Sequence, residues 1–274
     1  MVVAALAGVV QGVVEWLPVS SKTMITLIFA AGGYSFGTAY VMGLLANFGS
    51  FFAALWFFRR DIASALAGLR HPFADEPGAR KLRYLVLATV ATGVVGLPIY
   101  VLVKHAFSAA TGTAAMIGIG VLLLATGLIN SRRERLARSG AGGSRGVPGT
   151  AASLVVGACQ GLAALPGISR SAVTVTPLLL WGHDADEALR FSFLLDVLGL
   201  LGAGVAPLAV GHGGLRAIGQ VGAGPVAVLL IVSAVVSVLA IGGILRLASR
   251  LRSSTIATAI GALTIIAALV SGIR

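Results

Sequence analysis

The chain has 274 residues, 57% of them hydrophobic and 11% charged, with a mean hydropathy of +0.99. That composition excludes a soluble globular domain and points to an α-helical membrane protein. The formal net charge of +11 does not signal a nucleic-acid partner, because no basic face is interleaved with aromatics. The single Cys159 rules out an internal disulfide and a thiolate metal cluster, and reads as a small core residue.

Residues 1–14 are apolar but carry no basic n-region and no small-residue cleavage site, so they read as structure and not as a removable signal peptide. They lead into Gln11-Gly12-Val13-Val14-Glu15-Trp16-Leu17-Pro18-Val19-Ser20-Ser21-Lys22-Thr23: an apolar helical run, a proline break, then a hydroxyl-rich turn with one cation. Gln11 and Glu15 are spaced i, i+4 and share a helical face. Pro18 ends that helix, and Ser20 or Ser21 suits the N-cap of the next. The new helix then directs unpaired N–H groups and its positive dipole end at the break, which makes an anion site. The alternative is a kinked helix with an interfacial glutamate. Lys22 either adds positive charge to that site or snorkels outward.

Apolar stretches near the length of a bilayer crossing follow at 39–58, 84–103 and 114–130, and again at 189–210, 224–245 and 254–273, which predicts six spans. Residues 71–78 form a polar loop, and Ser139 to Ser144 reads as a flexible linker. Between the halves the first pattern recurs as Gln160-Gly161-Leu162-Ala163-Ala164-Leu165-Pro166-Gly167-Ile168-Ser169-Arg170-Ser171. Residues 166–174 place a glycine, three hydroxyls and a guanidinium together. Gly167 permits close backbone approach and a nest of amides, while Arg170 offers a planar fork for phosphate oxygens. An arginine at membrane depth demands a ligand or an acid, with Glu15 and Asp196 as the acidic candidates. Asp196 lies inside an expected span; it either pairs with Arg170 or Lys22, supplies an acid, or is a protonated structural aspartate.

Six of the 20 Lys and Arg lie between Arg59 and Arg83, five between Arg132 and Arg145, and three between Arg246 and Arg252. With alternating spans all three clusters fall on one side, as the positive-inside rule requires. Both broken-helix regions must then enter and leave on the same face, one from each side. Leu44-Leu45-Ala46-Asn47-Phe48-Gly49 also aligns with Leu194-Leu195-Asp196-Val197-Leu198-Gly199. The expected fold is an all-α integral membrane protein with an inverted-topology repeat. Each half is a re-entrant helical hairpin plus three transmembrane helices, within one membrane domain spanning 1–274 (repeat one about 1–138, repeat two about 150–274).

These motifs resemble the undecaprenyl-pyrophosphate phosphatases of the bacitracin-resistance type. That family carries a Glu/Gln-x-x-x-Glu motif, a Leu-Pro-Val-Ser-Ser turn and a Pro-Gly-x-Ser-Arg-Ser-x-x-Thr motif, matched by Gln11 to Glu15, Leu17 to Ser21 and Pro166 to Thr174. Arg190 to Leu195 and Phe57 to Asp61 resemble further family runs, so the likeness covers nearly the whole chain in order. The resemblance implies hydrolysis of undecaprenyl or another polyprenyl diphosphate to the monophosphate, in the plasma membrane, recycling the lipid carrier for cell-wall synthesis and conferring antibiotic resistance. It implies catalytic Glu15, Ser21 and Arg170. Gln11, Ser20, Gly167, Ser169, Ser171 and Thr174 would bind substrate. Glu15 would activate water or hold a divalent metal, Mg²⁺ or Ca²⁺, and Ser21 would be nucleophile or phosphate ligand. The partners are the lipid and the bilayer, and a homodimer burying one face is compatible with the pattern.

Where the family has Thr-Gly-His after Ser-Ser, this chain has Lys22-Thr23-Met24, and methionine transfers no proton. His71, His105, His183 and His212 fall in expected loops as solvated residues, and none replaces it. The second reading is a transporter or flippase of polyprenyl phosphate that binds without hydrolysis.

Overall fold

The computed structural model describes residues 1–109, 112–139, 143–210, 213–248 and 253–272, and in them the only β feature is an isolated bridge between Gly143 and His183. The helices run α1 (Val2–Val14), α2 (Ser21–Ala31), α3 (Phe36–Leu45), α4 (Asn47–Phe57), α5 (Arg59–Ala67), α6 (Pro77–Ala109), α7 (Gly112–Arg138), α8 (Thr150–Leu162), α9 (Arg170–Leu180), α10 (Ala185–Ala209), α11 (Gly213–Val221), α12 (Ala223–Ala248) and α13 (Ser253–Gly272).

Five stretches are long and apolar enough to cross a bilayer: 36–57, 77–106, 113–138, 185–209 and 223–243. The protein is a multi-pass helical membrane protein. The expected sixth span, 254–273, coincides with α13, whose 20 residues rise about 30 Å. The first span is two helices, because the Asn47 side-chain amide donates to the Leu44 carbonyl at 3.0 Å where α3 gives way to α4.

The four helices that flank the two breaks are too short to cross alone. α1 and α8 have 13 residues each, and α2 and α9 have 11 each. α1 packs chiefly on α12, and α8 on α6. Both contacts use glycines one turn apart. A Cβ on Gly12 would lie 2.6 Å from Val236 Cβ, and one on Gly8 2.8 Å from Val232 Cβ. On α8, a Cβ on Gly161 would lie 2.7 Å from Val95 Cβ, while Gly157 meets the backbone of Ala88. In lipid, where apolar burial drives little helix association, such close backbone approach is a principal source of packing energy.

The two breaks, 15–20 between α1 and α2 and 163–169 between α8 and α9, lie in the interior. Trp16 is fully buried against Phe193, with ring centroids 6.0 Å apart, and anchors the first break in the largest apolar cluster. Two of the histidines depart from expectation, while His71 is an exposed loop residue as expected. His105 lies within α6, and His183 is buried, its Nδ1 2.8 Å from Glu187 Oε2; His71 follows a 3-10 turn, and His212 lies outside the described residues. Arg250, Arg252 and residues 140–142 also lie outside them. The described end of the linker is held and not free: Gly143 N donates to Gly182 O, and Arg145 N and Gly146 N donate to the Glu187 carboxylate, each at 3.0 Å.

Candidate functional site

Each break ends a helix and starts another inside the protein. α1 stops at Glu15, and Pro18, lacking an N–H, prevents its continuation. Ser20, extended at φ −79° and ψ 95°, is the N-cap of α2. In the second break Gly167 takes φ +99°, a conformation that favours glycine, and Ser169 at φ −81° and ψ 124° starts α9. Neither Ser20 nor Ser169 caps its helix with its side chain. Ser20 Oγ instead pairs with Thr23 Oγ1 at 2.8 Å, so Ser20 holds the expected N-cap position without a side-chain bond to the helix amides. Two positive helix ends, left without side-chain caps, meet one cavity.

Side chains from both halves lock the breaks together. Gly167 N donates to Thr23 Oγ1 at 2.6 Å. Lys22 Nζ reaches across to the carbonyls of Ala163 and Ile168, and Tyr40 donates to the Ala164 carbonyl at 2.7 Å. From α7, Thr126 donates to the Gly167 carbonyl at 2.6 Å and accepts from Ser169 N at 3.1 Å. One turn on, Asn130 Nδ2 donates to the Pro18 carbonyl at 2.7 Å. One face of α7 therefore grips both breaks.

The cavity has a volume of about 290 Å³. Glu15, Ser20, Ser21, Lys22, Ser169, Arg170, Ser171 and Asp196 line its polar end, and Leu97, Tyr100, Ala203 and Ala206 its apolar end. Ser21 Oγ donates to Glu15 Oε2 at 2.5 Å, and Gln11 Nε2 donates to the same oxygen at 2.7 Å. Arg170 Nη2 lies 3.1 Å from Glu15 Oε1, while its Nη1 contacts Asp196 Oδ1. Phe193 closes the far side of the guanidinium, 5.8 Å from its centre. An ordered serine–carboxylate–arginine line thus stands beside two helix N-termini, which suits a nucleophile, a base and an anion clamp.

Six of the expected site residues, Glu15, Ser20, Ser21, Ser169, Arg170 and Ser171, line the cavity together. Three do not. Gln11 stands behind Glu15, its amide nitrogen also reaching Asn47 Oδ1 and Ser50 Oγ, both at 3.3 Å. Gly167 is used up in bridging the breaks. Thr174, one turn down α9, bonds the Arg170 carbonyl at 2.9 Å and Ser192 Oγ at 2.5 Å, so its place is behind the arginine and not on the cavity wall. Lys22 is buried and faces the cavity instead of snorkelling outward, Asp196 pairs with Arg170, and Met24 does not line the cavity. Sequence reasoning missed Asn47, Thr126 and Asn130; the one available signal was the i, i+4 spacing of Thr126 and Asn130 in an apolar span.

The sequence profile described as bacitracin resistance protein BacA matches residues 4–271. A protein named undecaprenyl-diphosphatase from Haloarcula marismortui is 37% identical over 274 residues, covering 98% of this chain and 97% of that protein. Proteins of the same name from Methanopyrus kandleri and Saccharolobus solfataricus are 35% and 32% identical, covering 96% and 100% of this chain and 94% and 97% of theirs. With the paired breaks and the buried serine, glutamate and arginine in place, the chain belongs to the bacitracin resistance protein BacA family.

Proposed function

We propose that this protein hydrolyses undecaprenyl diphosphate, or a related polyprenyl diphosphate, to the monophosphate and inorganic phosphate in the plasma membrane. The observation that carries the reading is Ser21 Oγ, 2.5 Å from a buried carboxylate that Arg170 also holds. In the reaction Ser21 Oγ attacks the terminal phosphorus and gives its proton to Glu15. The bond to the bridging oxygen breaks, and its electron pair leaves with the lipid phosphate. Glu15 hands that proton to the departing lipid phosphate. Water then attacks the phosphoserine, the freed Glu15 carboxylate takes a proton from the water, and that proton passes to Ser21 Oγ as the P–Oγ bond breaks and inorganic phosphate leaves. Arg170 and the amides at the starts of α2 and α9 neutralise the phosphoryl oxygens; for phosphoryl transfer, such positioning and charge supply most of the catalysis. The diphosphate displaces Arg170 from part of its contact with Glu15 and Asp196. The apolar end of the cavity takes the start of the isoprenoid.

A divalent cation finds little here without substrate. Among the described residues no three His, Cys, Asp or Glu gather, and Arg170 lies on both acids at the site. The residues fit Mg²⁺ or Ca²⁺ arriving with the diphosphate, Glu15 giving one oxygen and the phosphates the rest. Such an ion adds charge neutralisation.

The architecture we assign is an inverted repeat of a re-entrant hairpin plus three membrane helices in one domain. Its support is positional: Gly8, Gln11 and Gly12 recur 149 residues on as Gly157, Gln160 and Gly161. α2 and α9 begin at the same offset, as do α3 and α10. Carrier recycling for cell-wall synthesis and tolerance of an antibiotic that sequesters the lipid diphosphate follow from the activity. The relatives' diphosphatase names favour hydrolysis over transport. The test is phosphate release by purified protein: Ser21→Ala and Glu15→Gln should each lose about 10²-fold or more. Wild-type rates in both variants would overturn the assignment.

A further inference from the structure

We infer that Lys22 is a second anion-binding cation of this site, contacting the phosphoryl group attached to the lipid and setting the preference for diphosphate over monophosphate. The inference rests on the reading of the cavity as a lipid diphosphate site. Lys22 is 8% exposed, lines the cavity and stands next to Ser21. Its ammonium has three protons. Two go to carbonyls of the second break, those of Ala163 and Ile168. No carboxylate lies within ion-pairing distance of it among the described residues, whereas Arg170 meets both Glu15 and Asp196.

A buried ammonium held only by carbonyls is expensive to keep charged, and an anion entering the cavity relieves that cost. One of its carbonyl partners, that of Ala163, belongs to the C-cap residue of α8, where a helix presents negative partial charge and where discontinuous membrane helices hold cations; the other, that of Ile168, lies just before the N-cap of α9. Lys22 is therefore a tethered cation on a seat that would otherwise suit a free one. The third N–H remains for a ligand oxygen. Arg170, bound to Glu15 beside Ser21, belongs with the phosphoryl group under attack, and Lys22 with the one that departs on the lipid. A monophosphate engages one of these cations; a diphosphate spans both.

The experiment measures binding of a polyprenyl diphosphate and of the matching monophosphate to full-length protein in detergent with chelator present, together with kcat and KM for phosphate release. Wild type should bind the diphosphate at least about tenfold more tightly. Lys22→Gln, which keeps a donor for the carbonyls but removes the charge, should bring the ratio to within about threefold of unity, lower kcat/KM and raise the Mg²⁺ concentration needed for half-maximal rate. Lys22→Arg should retain most of the preference. A wild-type ratio near one overturns the inference without any variant, as does an unchanged ratio in Lys22→Gln. Lys22-dependent binding without phosphate release would support Lys22 while sinking hydrolysis; normal release with an unchanged ratio would do the reverse.

Discussion

Thr126 is the sharpest place to test whether α7 holds the site in shape. Thr126→Val keeps the shape of the side chain but removes one hydroxyl, and that hydroxyl makes two bonds inside the second break: to the Gly167 carbonyl at 2.6 Å and from Ser169 N at 3.1 Å. Thr126 and Ser169 are both buried, so water does not replace the lost partner freely. A buried polar group left unpaired costs about 1–3 kcal/mol, so two orphaned groups put the loss at roughly 2–6 kcal/mol before relaxation. Ser169 is the N-cap of α9 and Arg170 its first residue. The same substitution should therefore loosen the guanidinium and lower activity along with stability. The assay is thermal unfolding in detergent with phosphate release on the same preparations, Asn130→Ala running beside it as the equivalent cut at the Pro18 carbonyl. A lower melting temperature in both variants, with a fall of roughly tenfold in kcat/KM, is expected. Wild-type melting and activity in Thr126→Val would refute the reasoning that α7 sets the geometry of the breaks.

Gly167→Ala should be worse tolerated than an ordinary glycine substitution. Its φ is +99°, and the new Cβ would lie 2.6 Å from Leu122 Cβ; a loss of about 2–3 kcal/mol, read as a drop in melting temperature, is expected. At the end of the first span, burial favours the neutral form of Asp61, but hydrogen bonds from Lys81 and Arg190 outweigh it and hold its carboxyl below the ordinary value. Because the folded form then binds protons less readily, this contribution is present at neutral pH. It is lost as pH falls below about 4 and through the depressed value. Asp61→Asn should flatten that part of the stability profile and lower stability at pH 7, checked by melting curves across pH.

The parts of this protein that break a rule of membrane composition were readable from sequence. Pro18 and Pro166–Gly167 interrupt apolar runs, and Glu15 and Arg170 are charges with no place facing lipid. What was not readable was orientation. Gln11, Gly167 and Thr174 sit within the motifs yet point away from the cavity, because motif membership does not say which side of a turn a residue faces. Asn47, Thr126 and Asn130 are single polar residues in apolar helices, and only folding reveals what they bond. α6 runs on to Ala109, past the end of the expected span at 103, so His105 lies in a helix.

The most direct measurement is product analysis after incubating the purified protein with undecaprenyl diphosphate in ¹⁸O-labelled water. The expected result is equal amounts of undecaprenyl monophosphate and inorganic phosphate, the label in the inorganic phosphate alone, and no products from Arg170→Ala. Intact diphosphate recovered in an Arg170-dependent complex, or label in the lipid phosphate, would contradict the account.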